Sequence, residues 1–294
     1  MPDKRNRRQR QWRDITIEEI KEAAKKLDTE SVWHDSRESE LFHSSSVLAG
    51  KQLSFVFEEG LRFSYEFRDD HWLSLTVSDG RRTMEYYNAL TAPGYPDIVF
   101  LHHYVSTEIP GSIDLVFDLK AGTAVMLDAT FGHPFRFRQV TREIRFGGIE
   151  GMELPPEEER YHFTDELTGK AVWWRHPEGR RRGIKYIFSS DRYYTYYMRF
   201  PESNEYWMAT NPADYIHIRD DLFLFSVVEE RQAGFQLTML MNFTLLTDIQ
   251  SGFGYGGSDD LKVERLETVM RSGRIGTMDE MACYDLENDG GLIL

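Results

Sequence analysis

The sequence is poor in cysteine and contains no long apolar run. A single cysteine, Cys283, stands among 294 residues, so no internal disulfide can form and metal sites built from two or four cysteines are excluded. No stretch approaches the roughly 18 apolar residues that a membrane-spanning helix needs, and the first residues lack the apolar centre of a secretory signal. We therefore expect a protein of the reducing cytoplasm that has no membrane partner.

Signatures of common enzyme classes are also missing. The sequence has no G-x-S-x-G elbow, no H-E-x-x-H motif and no phosphate-binding G-x-x-x-x-G-K-[ST] loop. Residues 252–257 do carry the letters G-x-G-x-x-G, but two acidic residues follow where a pyrophosphate would sit, and no amphipathic helix begins there. We interpret this segment as a turn or bulge. Neither a metal nor an organic cofactor is expected.

The net charge is negative and unevenly distributed. It amounts to -14, although residues 1–13 hold six basic residues against one acidic residue. The acidic remainder would be repelled by phosphate backbones, and a short basic arm without a binding fold is weak support for nucleic-acid binding. We expect no nucleic-acid partner and interpret the arm as a solvated tail, with recruitment of a protein partner as the alternative.

Helical patterns are rare, whereas aromatic residues are abundant. Only residues 17–27 have the spacing of one apolar helical face, preceded by a capping box of Thr16 and Glu19. Aromatic residues make up 14% of the chain, and short alternating runs separated by turn residues cover 51–145 and 161–271. This spacing is typical of all-β folds, and roughly eight runs in one stretch can close a small barrel.

The sequence repeats itself. The segment L-x-G-K at 48–51 recurs at 167–170, an offset of 119 residues. Later matches drift to an offset of 121, as for Tyr65 and Tyr186, and then to 122. Two copies of one unit explain the pattern. We interpret the glycine of each L-x-G-K segment as a point of close backbone approach where the chain enters a barrel.

These patterns predict an all-β protein with two tandem antiparallel β-barrels and one N-terminal helix. The linker is assigned from consecutive prolines followed by a run of acidic residues. The predicted segments are a basic arm with the helix at 1–46, a first barrel at 47–149, a linker at 150–160, a second barrel at 161–275 and a tail at 276–294.

Two adjacent histidines lie in an apolar strand of the first half. His102 and His103 must point to opposite faces of that strand, so they cannot both bind one metal ion. The inward histidine could act as an acid or base near neutral pH. We select His102 as the catalytic candidate, which could meet Arg62, Tyr65 and Glu108 in one pocket. A hydrogen-bonded core histidine is the alternative.

The second half carries more phenols inside its predicted barrel. Tyr194 and Tyr196 stand where the first unit has leucines, and inward phenols need polar partners or a ligand. Tyr186, Tyr196 and Trp173 are therefore candidate ligand-binding residues. Tyr194 and Glu229 are candidate catalytic groups, since partial burial at the end of an apolar strand would raise the pKa of Glu229. Aromatic packing and a solvated strand end are the alternatives.

Several of these segments together resemble a known family. The doubled L-x-G-K opening, the E-G-x-R and Y-x-F hairpin, the D-L-F-L-F-S-V-V-E-E strand and the later F-G-Y-G turn are similar to the family named for molybdenum cofactor biosynthesis protein F, MoaF, over residues 47–271. The resemblance implies two lipocalin-like, or calycin-like, barrels in tandem. Proteins with barrels of similar shape include carriers of small apolar molecules and cofactor-free phenolic acid decarboxylases, which work with Tyr, Arg and Glu side chains.

We therefore expect a small apolar or aromatic ligand inside a barrel. Titratable groups beside aromatic side chains predict cofactor-independent acid/base chemistry of the lyase, decarboxylase or isomerase type. A non-catalytic carrier or sensor is one alternative, and a scaffold with filled barrels that acts through protein partners is another. The sequence leaves open a homodimer formed through exposed barrel edges.

Overall fold

The chain is all-β, as predicted, in the parts that the structure describes. This computed structural model describes residues 18, 21–22, 46–107, 109–131, 140–175, 183–200, 205–229, 235–256 and 265–276. Within these ranges, seventeen strands are accompanied by three short 3-10 helices, Ser46–Leu48, Glu58–Gly60 and Glu157–Glu159. None of the helices in the described part of the chain is long and apolar enough to cross a bilayer.

The predicted N-terminal helix over 17–27 is not confirmed. Only Glu18, Lys21 and Glu22 of that stretch are described, and although these three are helical, the described residues contain no complete α-helix. The basic arm at 1–13 and residues 277–294 of the predicted tail lie outside the described residues.

The first eight strands form a closed antiparallel barrel, since each pairs with the next and β1 pairs with β8. At this seam an ideal Cβ on Gly147 would lie 2.2 Å from the carbonyl oxygen of Val56, so only glycine permits the close approach of the two strands. The strands are β1 Gln52–Phe57, β2 Arg62–Phe67, β3 Trp72–Val77, β4 Arg82–Ala92, β5 Tyr95–Val105, β6 Gly111–Asp118, β7 Thr123–Phe131 and β8 Val140–Ile149.

The remaining strands form a second ring of eight with one strand added. Strand β10 pairs with β17, and β12 pairs with β13, which closes the ring from β10 to β17. Strand β9 pairs with the last part of β13. The strands are β9 His162–Phe163, β10 Ala171–Arg175, β11 Gly183–Phe188, β12 Tyr193–Phe200, β13 Glu205–Arg219, β14 Leu222–Glu229, β15 Phe235–Asn242, β16 Thr247–Gly256 and β17 Arg265–Gly276.

Two glycine interpretations made from the sequence are wrong. Residues 252–256 form neither a turn nor a bulge but continue β16, in register with β17. Gly50 and Gly169 adopt φ of 74° and 82°, and an ideal Cβ on either would meet nothing within 4 Å. The L-x-G-K segments therefore need glycine for its left-handed conformation and not for a close approach. Each places a fully buried leucine, Leu48 or Leu167, in the interior of its barrel.

The two barrels pack against each other through outward-facing side chains. Asp114 and Gln236, which are equivalent at the offset of 122, are hydrogen-bonded to each other at 3.0 Å across this contact. When two copies are related by an approximate two-fold axis, a residue near that axis contacts the equivalent residue of the other copy. The buried apolar members of the contact include Leu90, Ile98, Phe100, Val116 and Leu127 from the first barrel and Ile216, Leu222, Leu224, Leu240 and Ile249 from the second.

Candidate functional site

The alternation of β5 sends its two histidines to different regions. Both are fully buried. His103 shares the barrel interior with Leu101, whereas His102 shares the outer face with Phe100, which packs against the second barrel. The structure thus corrects the sequence-based choice, because the inward histidine of the first barrel is His103 and not His102.

His103 forms a buried hydrogen-bonded pair with Tyr65 of β2. The Tyr65 hydroxyl lies 3.3 Å from His103 Nε2, and His103 Nδ1 lies 2.9 Å from the carbonyl oxygen of Tyr104. A carbonyl only accepts, so Nδ1 carries the proton and Nε2 accepts from Tyr65. Burial lowers the pKa of His103 to about 4 and raises the pKa of Tyr65 above its usual range. Both groups are therefore neutral at neutral pH.

Three charged side chains lie together at one end of this interior. Arg81, just before β4, has Nη2 3.8 Å from Asp128 Oδ2, and Arg145 of β8 has Nη1 3.9 Å from the same atom. The charges of Asp128 and Arg81 act on the pKa of Tyr65, which links the group to the buried pair. Burial raises the pKa of Asp128 although both arginines oppose the shift.

The two ends of the first barrel differ in polarity. Leu48 fills one end, together with the partly buried Leu119 and Met152. At the other end the side chains of Arg81 and Arg145 are 37% and 24% exposed, so solvent reaches them. Nη1 of Arg145 is buried and has no hydrogen-bond partner among the described residues. The first candidate site consists of these charged side chains, Asp128, Arg81 and Arg145, together with the buried Tyr65–His103 pair on which the charges of Asp128 and Arg81 act.

The residues predicted for the site do not meet in one place. Tyr65 is inside the first barrel, and Tyr186, Tyr194 and Tyr196 are inside the second. Arg62 lies on the outer surface, where Nη2 is 2.6 Å from Glu150 Oε2.

Three further predicted residues lie away from both interiors or cannot be placed. Trp173 is on the face of β10 opposite to Val172, which points into the second barrel. Glu229 ends β14, but its side chain lies outside the described residues, as does Glu108.

The tyrosines of the second barrel are surrounded by aromatic rings. Tyr194 is fully buried, and its ring lies edge-on to Phe225 with centroids 4.9 Å apart. Tyr186 packs against both, at 5.4 Å from Tyr194 and 5.8 Å from Phe225. The hydroxyl of Tyr215 donates to the carbonyl oxygen of Tyr193 at 2.9 Å. This interior is therefore rich in phenols, as predicted.

His102 belongs to a buried polar network between the barrels. Its Nδ1 lies 2.6 Å from Asp114 Oδ1, to which Ser251 Oγ also donates at 2.7 Å. Gln236 Nε2 donates to the other carboxylate oxygen. Burial alone would raise the pKa of Asp114, but the charge of His102 and side-chain hydrogen bonds from His102, Thr238 and Ser251 lower it below its usual range. The geometry is that of a bridge between domains.

A third group of titratable side chains lies outside both barrels. One ring nitrogen each from His162 and His217 and one carboxylate oxygen of Glu166 lie within 4.8 Å of one another. A cleft of about 510 Å³ adjoins them, lined by residues that include His162, Glu166, Arg192 and Tyr215. This group was not predicted from the sequence, because only the pairing of β9 with β13 brings the two histidines together.

Fold and interior together define a protein of two antiparallel β-barrels, of which the first has an apolar end and a polar end. Residues 36–133 match the family model of the MoaF N-terminal domain, which confirms the predicted resemblance to the MoaF family. The matched region covers strands β1 to β7 and therefore includes Tyr65, His103 and Asp128. No curated protein matches the chain.

Proposed function

We propose that the protein binds a small apolar or aromatic metabolite with an acidic group at the polar end of the first barrel, and that it acts on this ligand by proton transfer without a cofactor. The observation that carries the proposal is the buried Tyr65–His103 pair beneath a partly exposed group of charges. Buried titratable groups with shifted pKa values inside a concave apolar site are typical of acid/base catalysts.

The walls of this interior suit an aromatic ligand. The ring of Tyr65 lies 5.8 Å from that of Phe55 and 5.7 Å from that of Phe67. Such rings offer both stacked and edge-on contacts to a planar ligand. At the partly exposed end, Nη1 of Arg145 is buried, 3.9 Å from Asp128 Oδ2, and has no hydrogen-bond partner within the described part of the chain, which favours a carboxylate on the ligand. We therefore infer an aromatic or apolar carboxylic acid.

The Tyr65–His103 pair supplies a route for one proton. The Tyr65 hydroxyl can accept a proton from the ligand while its own proton passes to Nε2 of His103, which is unprotonated at neutral pH. Arg81 and Arg145 would stabilise negative charge that develops on the ligand. The reaction class is that of a lyase, decarboxylase or isomerase, since each of these needs proton transfer but no redox cofactor.

Two finer features complete the proposal. The contrast between a filled apolar end and a partly exposed polar end supports a lipocalin-like barrel that admits a ligand from one side. The single cysteine supports a location in the cytoplasm.

A carrier or sensor that uses the same interior only for binding is the second candidate function, favoured by the number of aromatic rings in each interior.

Native mass spectrometry of the purified protein tests ligand binding. We expect a co-purifying small molecule, or stabilisation by a panel of phenolic and apolar carboxylic acids. Arg145→Met should weaken binding by tenfold or more, on the order of 1.4 kcal/mol or above. Arg62→Met is the matched control, because Arg62 lies outside the barrel. Equal binding by both variants, or no binding at all, would refute the proposed site.

Turnover separates the enzyme from the carrier. Tyr65→Phe should remove activity on a bound ligand while leaving most of its affinity, because only the hydroxyl is lost. If Tyr65→Phe keeps its activity and the activity is lost instead in Tyr194→Phe and Glu229→Gln, the reaction takes place in the second barrel. A ligand that binds without conversion by the wild-type protein identifies a carrier.

A further inference from the structure

The histidine and glutamate group beside β9 has the composition of a metal site. We propose that His162, Glu166 and His217 bind one divalent transition-metal ion, of the zinc or iron(II) type, at the edge of the second barrel. The three ligand atoms already lie within 4.8 Å of one another. Ligands about 2.0 to 2.2 Å from a common ion are spaced within that range. This site is separate from the first barrel and from the function proposed above.

The backbone holds the two histidines side by side. His162 of β9 is the direct cross-strand partner of His217 of β13, and the backbone N–H of Thr164 donates to the carbonyl oxygen of Tyr215 at 3.0 Å, which extends the pairing. The side chains of cross-strand partners lie on the same face of a sheet. The two imidazole rings are accordingly stacked, with centroids 5.3 Å apart. Sheet pairing thus sets the position of two of the three ligands.

Hydrogen bonds to neighbouring groups orient the ligands. His162 Nδ1 lies 2.8 Å from the carbonyl oxygen of Arg160, so Nδ1 carries the proton and Nε2 keeps the lone pair that a metal requires. Such a bond from the second ring nitrogen is the usual support of a metal-binding histidine. Thr164 Oγ1 donates to Glu166 Oε1 at 2.9 Å, and His217 Nδ1 lies 2.7 Å from the same oxygen. The set is therefore held close together before any ion arrives.

The ligand types indicate which ion binds. Two imidazole nitrogens with one carboxylate suit Zn²⁺, Fe²⁺ and related ions, whereas Ca²⁺ and Mg²⁺ prefer oxygen ligands. Three protein ligands leave at least one coordination position open. Because His162 and Glu166 also line the cleft of about 510 Å³, that open position would be within reach of a small molecule in the cleft.

Titration of the full-length protein with Zn²⁺ tests this inference. The protein is first dialysed against a chelator, and binding is then followed by isothermal titration calorimetry, with the absorption spectrum of bound Co²⁺ as a second readout. We expect one site per chain, and we expect His162→Ala, His217→Ala and Glu166→Gln each to weaken binding by at least about tenfold. His71→Ala is the matched control, because His71 is a partly exposed histidine outside the group.

The variants should fold, since His162 and Glu166 are exposed and His217 is only partly buried. Circular dichroism of each variant checks this directly. Wild-type protein that binds no Zn²⁺ would overturn the proposal. Unchanged binding and an unchanged Co²⁺ spectrum in the His162→Ala, His217→Ala double variant would overturn it as well, because the metal would then be held elsewhere.

Discussion

The two barrels carry different chemistry at equivalent positions. In the first barrel the rings of Tyr65 and His103 have centroids 5.6 Å apart, and in the second the rings of Tyr186 and Phe225, at offsets of 121 and 122, are 5.8 Å apart. The centroid distances are therefore nearly the same in both copies, although the rings are edge-on at 78° in the first and tilted at 36° in the second, and only the first contact pairs a phenol with an imidazole. Both copies of the fold keep an aromatic interior. They differ at one position of this contact: histidine in the first barrel forms an acid/base pair with tyrosine, whereas phenylalanine in the second barrel forms a purely aromatic contact.

The largest effect is expected at the contact between the barrels. Asp114→Ala leaves His102, Ser251 and the amide of Gln236 without their acceptor, in a region that is fully buried. Leaving these buried donors without their carboxylate acceptor should cost about 3 to 5 kcal/mol of the free energy of unfolding. Gln236→Ala, at the equivalent position of the other barrel, removes one donor to the Asp114 carboxylate and one hydrogen bond to Thr238, and should cost about 1 to 3 kcal/mol. Urea denaturation measures both, and a larger loss for the glutamine variant would contradict this account.

The next largest effect is expected on the pH dependence of the free energy of unfolding. Burial lowers the pKa of His103 to about 4, whereas the unfolded chain has a histidine pKa of about 6.5. The unfolded chain therefore takes up a proton that the folded chain does not, and stability is lost as the pH falls from about 6.5 towards 4. The loss amounts to about 3 kcal/mol.

His103→Phe converts the first barrel to the residue type of the second and should remove that part of the pH dependence. The free energy of unfolding at pH 7 and at pH 4.5 measures it in both proteins. His71→Phe is the control, since His71 is only partly buried. An equally steep loss in the His103→Phe variant would show that His103 is not the responsible group.

A smaller effect is expected from the hydroxyl of Tyr65 itself. Tyr65→Phe removes the hydrogen bond to His103 Nε2 and should cost about 1 kcal/mol. In the His103→Phe background the same change should cost almost nothing, because the partner is already missing. A double-mutant cycle by chemical denaturation gives this coupling. Additive losses in the cycle would mean that the two groups do not interact.

The smallest effect is expected on the outer surface. Arg62 and Glu150 form an ion pair in which the side chains are 49% and 43% exposed. Exposed pairs contribute about 0 to 1 kcal/mol, so Glu150→Gln should change stability by less than about 1 kcal/mol. The same variant should leave ligand binding unchanged. A strong loss of binding would restore Arg62 as a ligand-binding residue.

The repeat and the alternation of the strands were readable from the sequence because each depends on local spacing. The L-x-G-K segments and the short aromatic runs predicted two barrels of about eight strands, and both rings are present in the described residues. The alternation of β7 could also have identified Asp128 as an inward carboxylate, since it shares its face with Ala124 and Met126.

The residues of the candidate sites could not be predicted from the sequence, because their positions depend on contacts between distant parts of the chain. Strand alternation shows that His102 and His103 point to opposite faces, but it cannot show that the outer face of β5 is covered by another barrel. His102 is a buried structural group because its partner Asp114 also accepts hydrogen bonds from Gln236 and Ser251 of the second barrel. The group of His162 and His217 likewise requires the register of β9 on β13.

The central claim is that His103 is the neutral, ligand-facing histidine of the first barrel, and nuclear magnetic resonance of the histidine rings tests it most directly. With isotope-labelled protein titrated from pH 8 to pH 4, we expect the His103 ring to stay neutral with its proton on Nδ1 until the pH approaches about 4. Addition of a phenolic or apolar carboxylic acid that binds should move the His103 signals and leave those of His102 in place. Protonation of His103 near pH 6.5, or a bound acid that shifts His102 alone, would contradict the account.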